Sequence, residues 1–163
     1  MNNGDVHQLL QNCRLELVQI QTLIQGLGLS SNIVPYLAKY SLIKACGTVE
    51  LAYKQVVADK CSYRCNRQVK KFLEKRVNRN SANPSYKKMC ELLKSFDEGW
   101  CSDFKLRIRN HTASSLRSSL ESLVESRNEF AHGGNPHVSI GSVISYFDDA
   151  IVVLQEYDEV VSQ

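Results

Sequence analysis

Residues 33–60, IVPYLAKYSLIKACGTVELAYKQVVADK, decide the fold. Ile33, Leu37, Tyr40, Ile43, Cys46, Val49, Tyr53 and Val56 recur every three or four residues, the period of an amphipathic helix. The segment opens at Ser30–Asn32, and Pro35 falls in a first turn, where proline is tolerated. The period holds to about Lys60, long enough for the spine of a helical bundle.

The same period extends in both directions. Upstream, Leu9, Cys13, Leu17, Ile20, Ile24 and Leu27 share one face, with Asp5 as N-cap and Gly26 and Gly28 loosening the end. Downstream, a basic stretch from Asn66 to Arg79 keeps only Val69, Phe72, Leu73 and Val77 apolar, and Asn78–Pro84 reads as a loop. Ser85 to about Phe96 forms a helix that buries Met89, Cys90, Leu92, Leu93 and Phe96. Residues 97–112 are ambiguous, anchored by Trp100, Phe104, Leu106 and Ile108. A helix over about 112–132 carries Leu116, Leu120, Leu123, Val124 and Phe130 and stops at Gly133-Gly134-Asn135-Pro136. A final helix over about 138–161 carries Val143, Ile144, Phe147, Ile151, Leu154, Tyr157 and Val161. No strand alternation, glycine-rich phosphate loop or internal repeat is present. The expected fold is all-α, a bundle of five to six helices forming a single domain over 1–163.

Composition agrees. The 163 residues are 43% hydrophobic and 23% charged, enough apolar content for a core and too evenly spread for disorder. No apolar run approaches the roughly 20 residues that span a bilayer. The start, MNNGDVHQLL, has neither the basic residues nor the apolar stretch of a signal peptide. A cytoplasmic protein without membrane association is therefore expected. The six cysteines (13, 46, 61, 65, 90, 101) lack paired spacing and mostly fall in apolar phase, as small core residues do in a reducing compartment.

Charge is unevenly divided. Residues 1–60 carry a net +1, residues 61–117 a net +9 and residues 118–163 a net −7. Two readings fit: a surface that meets an anionic partner, or basic and acidic helices that pack side by side and neutralise each other.

The chemistry concentrates in Ser126-Arg127-Asn128-Glu129-Phe130-Ala131-His132-Gly133-Gly134. A guanidinium matches phosphate geometry with a permanently charged fork of donors, and an imidazole moves protons near neutral pH. Together they are what metal-free RNA cleavage needs. Five residues of ideal helix, however, separate the two side chains by roughly 140°. Convergence requires His132 to sit in a fraying last turn, or two copies of the motif to meet across a dimer. The same pair would also satisfy the C-terminal carbonyls of the helix and its dipole.

Leu123-Val124-Glu125-Ser126-Arg127-Asn128-Glu129-Phe130-Ala131-His132-Gly133 resembles the signature of the HEPN superfamily: arginine, a polar residue, then histidine after four to six positions, late in a small helical domain. The form is most similar to the RiboL-PSP-HEPN branch. The resemblance implies a metal-independent endoribonuclease that works as a homodimer on RNA, without a cofactor, in a toxin–antitoxin or phage-defence setting with an antitoxin or operon partner. His132 would exchange protons, Arg127 would stabilise the phosphorane, and Asn128 would orient the phosphate or His132. The segment with Arg64, Arg67, Lys70, Lys71, Lys75, Arg76 and Arg79 would supply phosphate contacts that ignore sequence. Glu50 corresponds to an acidic residue often seen in the long second helix. Where one toxin branch has a modifiable tyrosine two residues after the histidine, this chain has Gly134, so tyrosine modification is not implied. The alternative from another class is a non-catalytic interaction or nucleotide-binding module on the same fold.

Other signals read as structural. Cys61 and Cys65 have no second pair, and Arg64 and Arg67 would repel a cation, so no metal site is assigned. His111 and His137 read as surface histidines flanking the motif helix. Adjacent Asp148 and Asp149 diverge by about 100° and do not form an acid–base pair. Tyr157 and Trp100 read as packing aromatics.

Overall fold

Short polar residues set most helix starts in the computed structural model, which describes residues 1–163. Asn3 caps α1 (Gly4–Leu27), its Oδ1 accepting the Val6 N–H at 3.1 Å. The expected cap, Asp5, lies in the first turn instead, where its charge still suits the helix dipole. The helix ends at Gly28, whose N–H reaches the Ile24 carbonyl at a φ of 79°. Helix α2 (Val34–Ser62) carries Pro35 in its first turn. Asn66 caps α3 (Arg67–Leu73), which runs on into a π-helical turn, Glu74–Asn78. Ser85 caps α4 (Tyr86–Phe96), and Asp97 caps α5 (Glu98–Asn110) by accepting the Gly99 and Trp100 N–H groups. Helices α6 (Leu116–Ala131) and α7 (Ile140–Ser162) complete the chain, with Ser139 capping the latter.

The protein is all-α, with seven helices and no strand. That exceeds the expected five to six because the ambiguous 97–112 stretch is helix α5. The motif helix starts at Leu116, later than the expected 112, after a short irregular stretch. No helix is long and apolar enough to cross a membrane.

Helix α2 packs against α1, α6 and α7, while α7 also packs on α1, α5 and α6. Their apolar faces form the main core. Tyr53, Tyr157 and Phe104 meet edge to face with centroids 6.2 and 5.3 Å apart, and Tyr86 stacks on Phe104 at 5.4 Å. Such pairs favour one packing arrangement over others of similar buried area. Buried Asp158 of α7 accepts the backbone N–H groups of Asn2 and Asn3, fastening the start of α1.

Basic and acidic helices do pack side by side. Arg107 of α5 pairs with Glu156 of α7 at 3.1 Å, and Arg14 of α1 pairs with Asp148 at 2.7 Å. Across α3 and the π turn only Arg79 is paired, with Glu74 at 2.6 Å.

Several expected core residues lie outside it. Leu27, Tyr40, Ile43, Val69, Phe72, Phe96 and Leu106 are exposed. Each has the helical period of a buried face, but neighbouring elements leave much of its surface open, as at Tyr40, where α1 reaches only the hydroxyl through Glu16. In the basic stretch only Leu73 and Val77 are buried, and they join Ala58 in a small cluster separate from the main core.

Candidate active site

Helix α6 buries Leu116, Ser119, Leu120, Leu123 and Val124, which fixes the direction in which its last turn points. That turn does not fray. The His132 N–H still reaches the Asn128 carbonyl at 3.0 Å, the Gly133 N–H reaches Phe130 at 3.1 Å and the Gly134 N–H reaches Glu129 at 2.8 Å. The last two bonds are those of a Schellman cap. Gly133 has a φ of 83°, and a Cβ on Gly134 would stand 2.8 Å from the Glu129 carbonyl oxygen. Both glycines are therefore required by the cap, and a tyrosine at 134 would force the turn open.

The fraying last turn expected to bring Arg127 and His132 together is thus absent: His132 is the first residue past α6, at φ −91° and ψ 16°, and the cap closes around it. Arg127 is half-buried and its guanidinium lies against the Cys46 thiol. Burial pushes that thiol up, and Arg127 partly offsets it. No carboxylate lies within ion-pair distance of Arg127, although it is the sole Lys or Arg after residue 117. His132 is exposed, one residue beyond Ala131.

Arg127, Phe130 and Ala131 form one wall of an open groove of about 350 Å³. Ile43, Gly47 and Glu50, spaced by one helical turn each on α2, form the opposite wall, and Ser81 completes the lining. Gly47 has no atom within 4 Å of the position a Cβ would take, so its missing side chain is part of the groove's open space. Glu50 is anchored: its Oε1 accepts the Lys54 ammonium at 2.5 Å and the Ala82 N–H at 2.9 Å. Its other oxygen has no hydrogen-bond partner among these contacts. The groove thus holds an unpaired guanidinium and a fixed carboxylate, a pairing suited to an anionic group and a hydroxyl.

The remaining sequence candidates are not gathered here. Asn128 does not line the groove, since one helical step turns it away from Arg127. Arg64, Arg67, Lys70, Lys71, Lys75, Arg76 and Arg79 are all exposed. Their stretch packs on the far end of α2 through Ala58, about 12 Å along the helix from Glu50. Arg64 adopts a φ of 57° and sits over the Tyr63 ring at 5.1 Å. The Nδ1 of His111 accepts the Ala113 N–H at 3.1 Å, which gives it a turn-forming role. His137 borders a separate cavity beside Pro136. Cys13, Cys46, Cys90 and Cys101 are buried, Cys61 and Cys65 half-buried, and all six are free. No cluster of three or more His, Cys, Asp or Glu side chains suits a metal ion. Sequence reasoning did not single out Ile43, Gly47 and Ser81 as groove residues; a glycine in mid-helix, costing roughly 1 kcal/mol relative to alanine, was the available signal for one of them.

The family model for RiboL-PSP-HEPN matches residues 9–163, nearly the whole chain. The chain belongs to the RiboL-PSP-HEPN family. In this HEPN protein the matched region takes in the groove, the capped turn and the basic stretch alike. No curated protein and no solved structure matches the chain.

Proposed function

We propose that this HEPN protein is a metal-independent endoribonuclease acting as a homodimer. The observation that carries the proposal is the unpaired Arg127 guanidinium facing Glu50 across an open groove, with His132 exposed at the same helix end. In the proposed step the ribose 2′-oxygen attacks the adjacent phosphorus while its proton passes to an imidazole. The phosphorus–oxygen bond to the 5′-oxygen breaks, and that oxygen takes up a proton. The products are a 2′,3′-cyclic phosphate and a 5′-hydroxyl. Arg127 stabilises the charge that develops on the phosphorane, and RNA is the substrate because DNA lacks the attacking hydroxyl. Asn128 orients the phosphate or His132 by hydrogen bonding.

A second copy is needed because the capped turn separates Arg127 from His132. The proposed surface for it is the face of α2 on which Tyr36, Tyr40, Ile43 and Leu51 are exposed, with Ile33 just ahead of the helix, and which runs into the groove at Ile43 and Gly47. Exposed apolar patches of this kind mark association surfaces, and twofold docking along α2 places two grooves side by side. The proposed setting, a toxin–antitoxin or phage-defence module in the cytoplasm with an antitoxin or operon partner, rests on the resemblance to the branch.

Purified protein incubated with RNA in excess chelator is expected to release 2′,3′-cyclic phosphate ends. Substituting His132→Ala is expected to lower cleavage by about 10²–10⁴-fold with the helical circular dichroism and the dimer mass unchanged. The alternative is a non-catalytic interaction or nucleotide-binding module on the same fold. No cleavage by a verified dimer at any protein concentration would establish that alternative instead.

A further inference from the structure

The loop that follows the basic stretch is a wall with a different space on each side. Two anchors from α2 hold it. Lys54, with a side chain only 5% exposed, donates to the Glu50 carboxylate and to the Asn80 carbonyl. Glu50 in turn accepts the Ala82 N–H at 2.9 Å. A buried ammonium is costly unless fully paired, and here one partner belongs to the wall and the other grips it two residues further on. Ser81, between the anchors, borders the Arg127 groove. Asn80 and Ala82 border a second cavity of about 300 Å³ together with Lys54, Arg76, Lys88 and Glu91. Alternate residues facing opposite sides is the pattern of an extended chain.

The second cavity is positive on balance. The Lys54 charge is neutralised by Glu50. Glu91 is shared by Lys88 at 2.6 Å and Lys87 at 3.9 Å, and Arg76 has no ion-pair partner. Asn80, Ser95 and the loop backbone add polar groups at its edge. A singly charged phosphodiester fits such a lining better than a carboxylate ligand, because an arginine fork and a lysine can share its oxygens. The wall is one chain thick, about 5 Å, so a strand that crosses it passes directly from one space into the other.

We propose that this cavity is a second RNA-backbone subsite, seating a phosphodiester beside the scissile one, with Arg76 and Lys88 as its cations and Lys54 as the positioning residue that holds the shared wall. The identity of the strand rests on the nuclease reading above.

The test uses a DNA oligonucleotide with a single ribonucleotide, which fixes the cleavage point, and uncharged methylphosphonates placed one at a time at flanking positions. At one flanking position, neutralisation is expected to slow the wild type about 10-fold and to have no further effect on Arg76→Ala. Lys71→Ala, which removes the same charge from the exposed face of α3, is expected to stay as sensitive as the wild type. Equal sensitivity of the wild type and Arg76→Ala at every position overturns the subsite. Lys54→Met is expected to raise KM and abolish the sensitivity, and Lys54→Arg to restore both; an unchanged KM and full sensitivity in a folded Lys54→Met protein overturns the role of Lys54. If the wild type cleaves no RNA, the nuclease reading fails separately. Binding of short single-stranded RNA then decides the subsite: Arg76→Ala is expected to reduce the salt dependence by about 0.7 in the log–log slope, and equal losses from Arg76→Ala and Lys71→Ala overturn it.

Discussion

The motif helix and the basic stretch carry the two parts of the proposed RNA chemistry, yet they are held to the molecule by very different means. Helix α6 is built into a core of 29 buried residues. Helix α3 and its π turn share a cluster of only three, Ala58, Leu73 and Val77, and rely on the Lys54 anchor just beyond. The contrast suits the demands that the proposed function places on each. Proton transfer and phosphorane stabilisation need groups placed to a fraction of an ångström. Long-range attraction of a phosphate backbone by the exposed face of α3 tolerates movement, since it depends on charge rather than on fixed geometry.

The comparison is sharpest where a core residue is cut on each side. Phe104→Ala removes the ring that joins Tyr86 to Tyr157 and is expected to cost about 3–5 kcal/mol of global stability in denaturant unfolding. Leu73→Ala is expected to leave that midpoint nearly unchanged while hydrogen exchange accelerates across residues 67–79 alone. A shared loss of global stability would show that the basic stretch and the bundle unfold as one unit.

Gly47→Leu fills the groove from the α2 side. It is expected to lower RNA cleavage about 100-fold while helix propensity, improved by roughly 1 kcal/mol, keeps the melting temperature at or above the wild-type value. Retained cleavage in that variant would place the chemistry elsewhere. Gly134→Ala sets a methyl against the Glu129 carbonyl and is expected to cost about 1–3 kcal/mol, read by thermal melting, with the Schellman cap opened.

The smallest effect lies at the edge of the bundle. Lys44, then Tyr40, hold the Glu16 carboxyl below its ordinary value of 4.5. A depressed carboxyl stabilises the fold above its unfolded pKa and loses that contribution as pH falls through the folded value. Melting temperatures of wild type and Glu16→Gln are therefore expected to differ modestly at pH 6 and to converge as pH falls below 4.5 through the lowered folded value.

Much of this was legible along the chain. The α2 period, the segment starts at Asn66 and Ser85, and the glycine stop after His132 are local matters, settled by residues within one or two turns of each other. The exposure of Tyr40, Ile43 and Phe72 was not legible, because periodicity shows that a face is apolar and says nothing of whether another element covers it. The mid-helix Gly47 marked a close approach or an opening without saying which.

The sequence by itself determined the seven helices' material, the Arg127–His132 spacing and the family, since hydrophobic period, capping chemistry and a short motif are all carried by neighbours in the chain. Only the tertiary structure decided that Arg127 and Glu50 line one groove and that Lys54 ties a distant loop between two cavities. Those relations join residues from 26 to 77 positions apart, and no local rule of helix formation specifies which faces of separate helices will pack together.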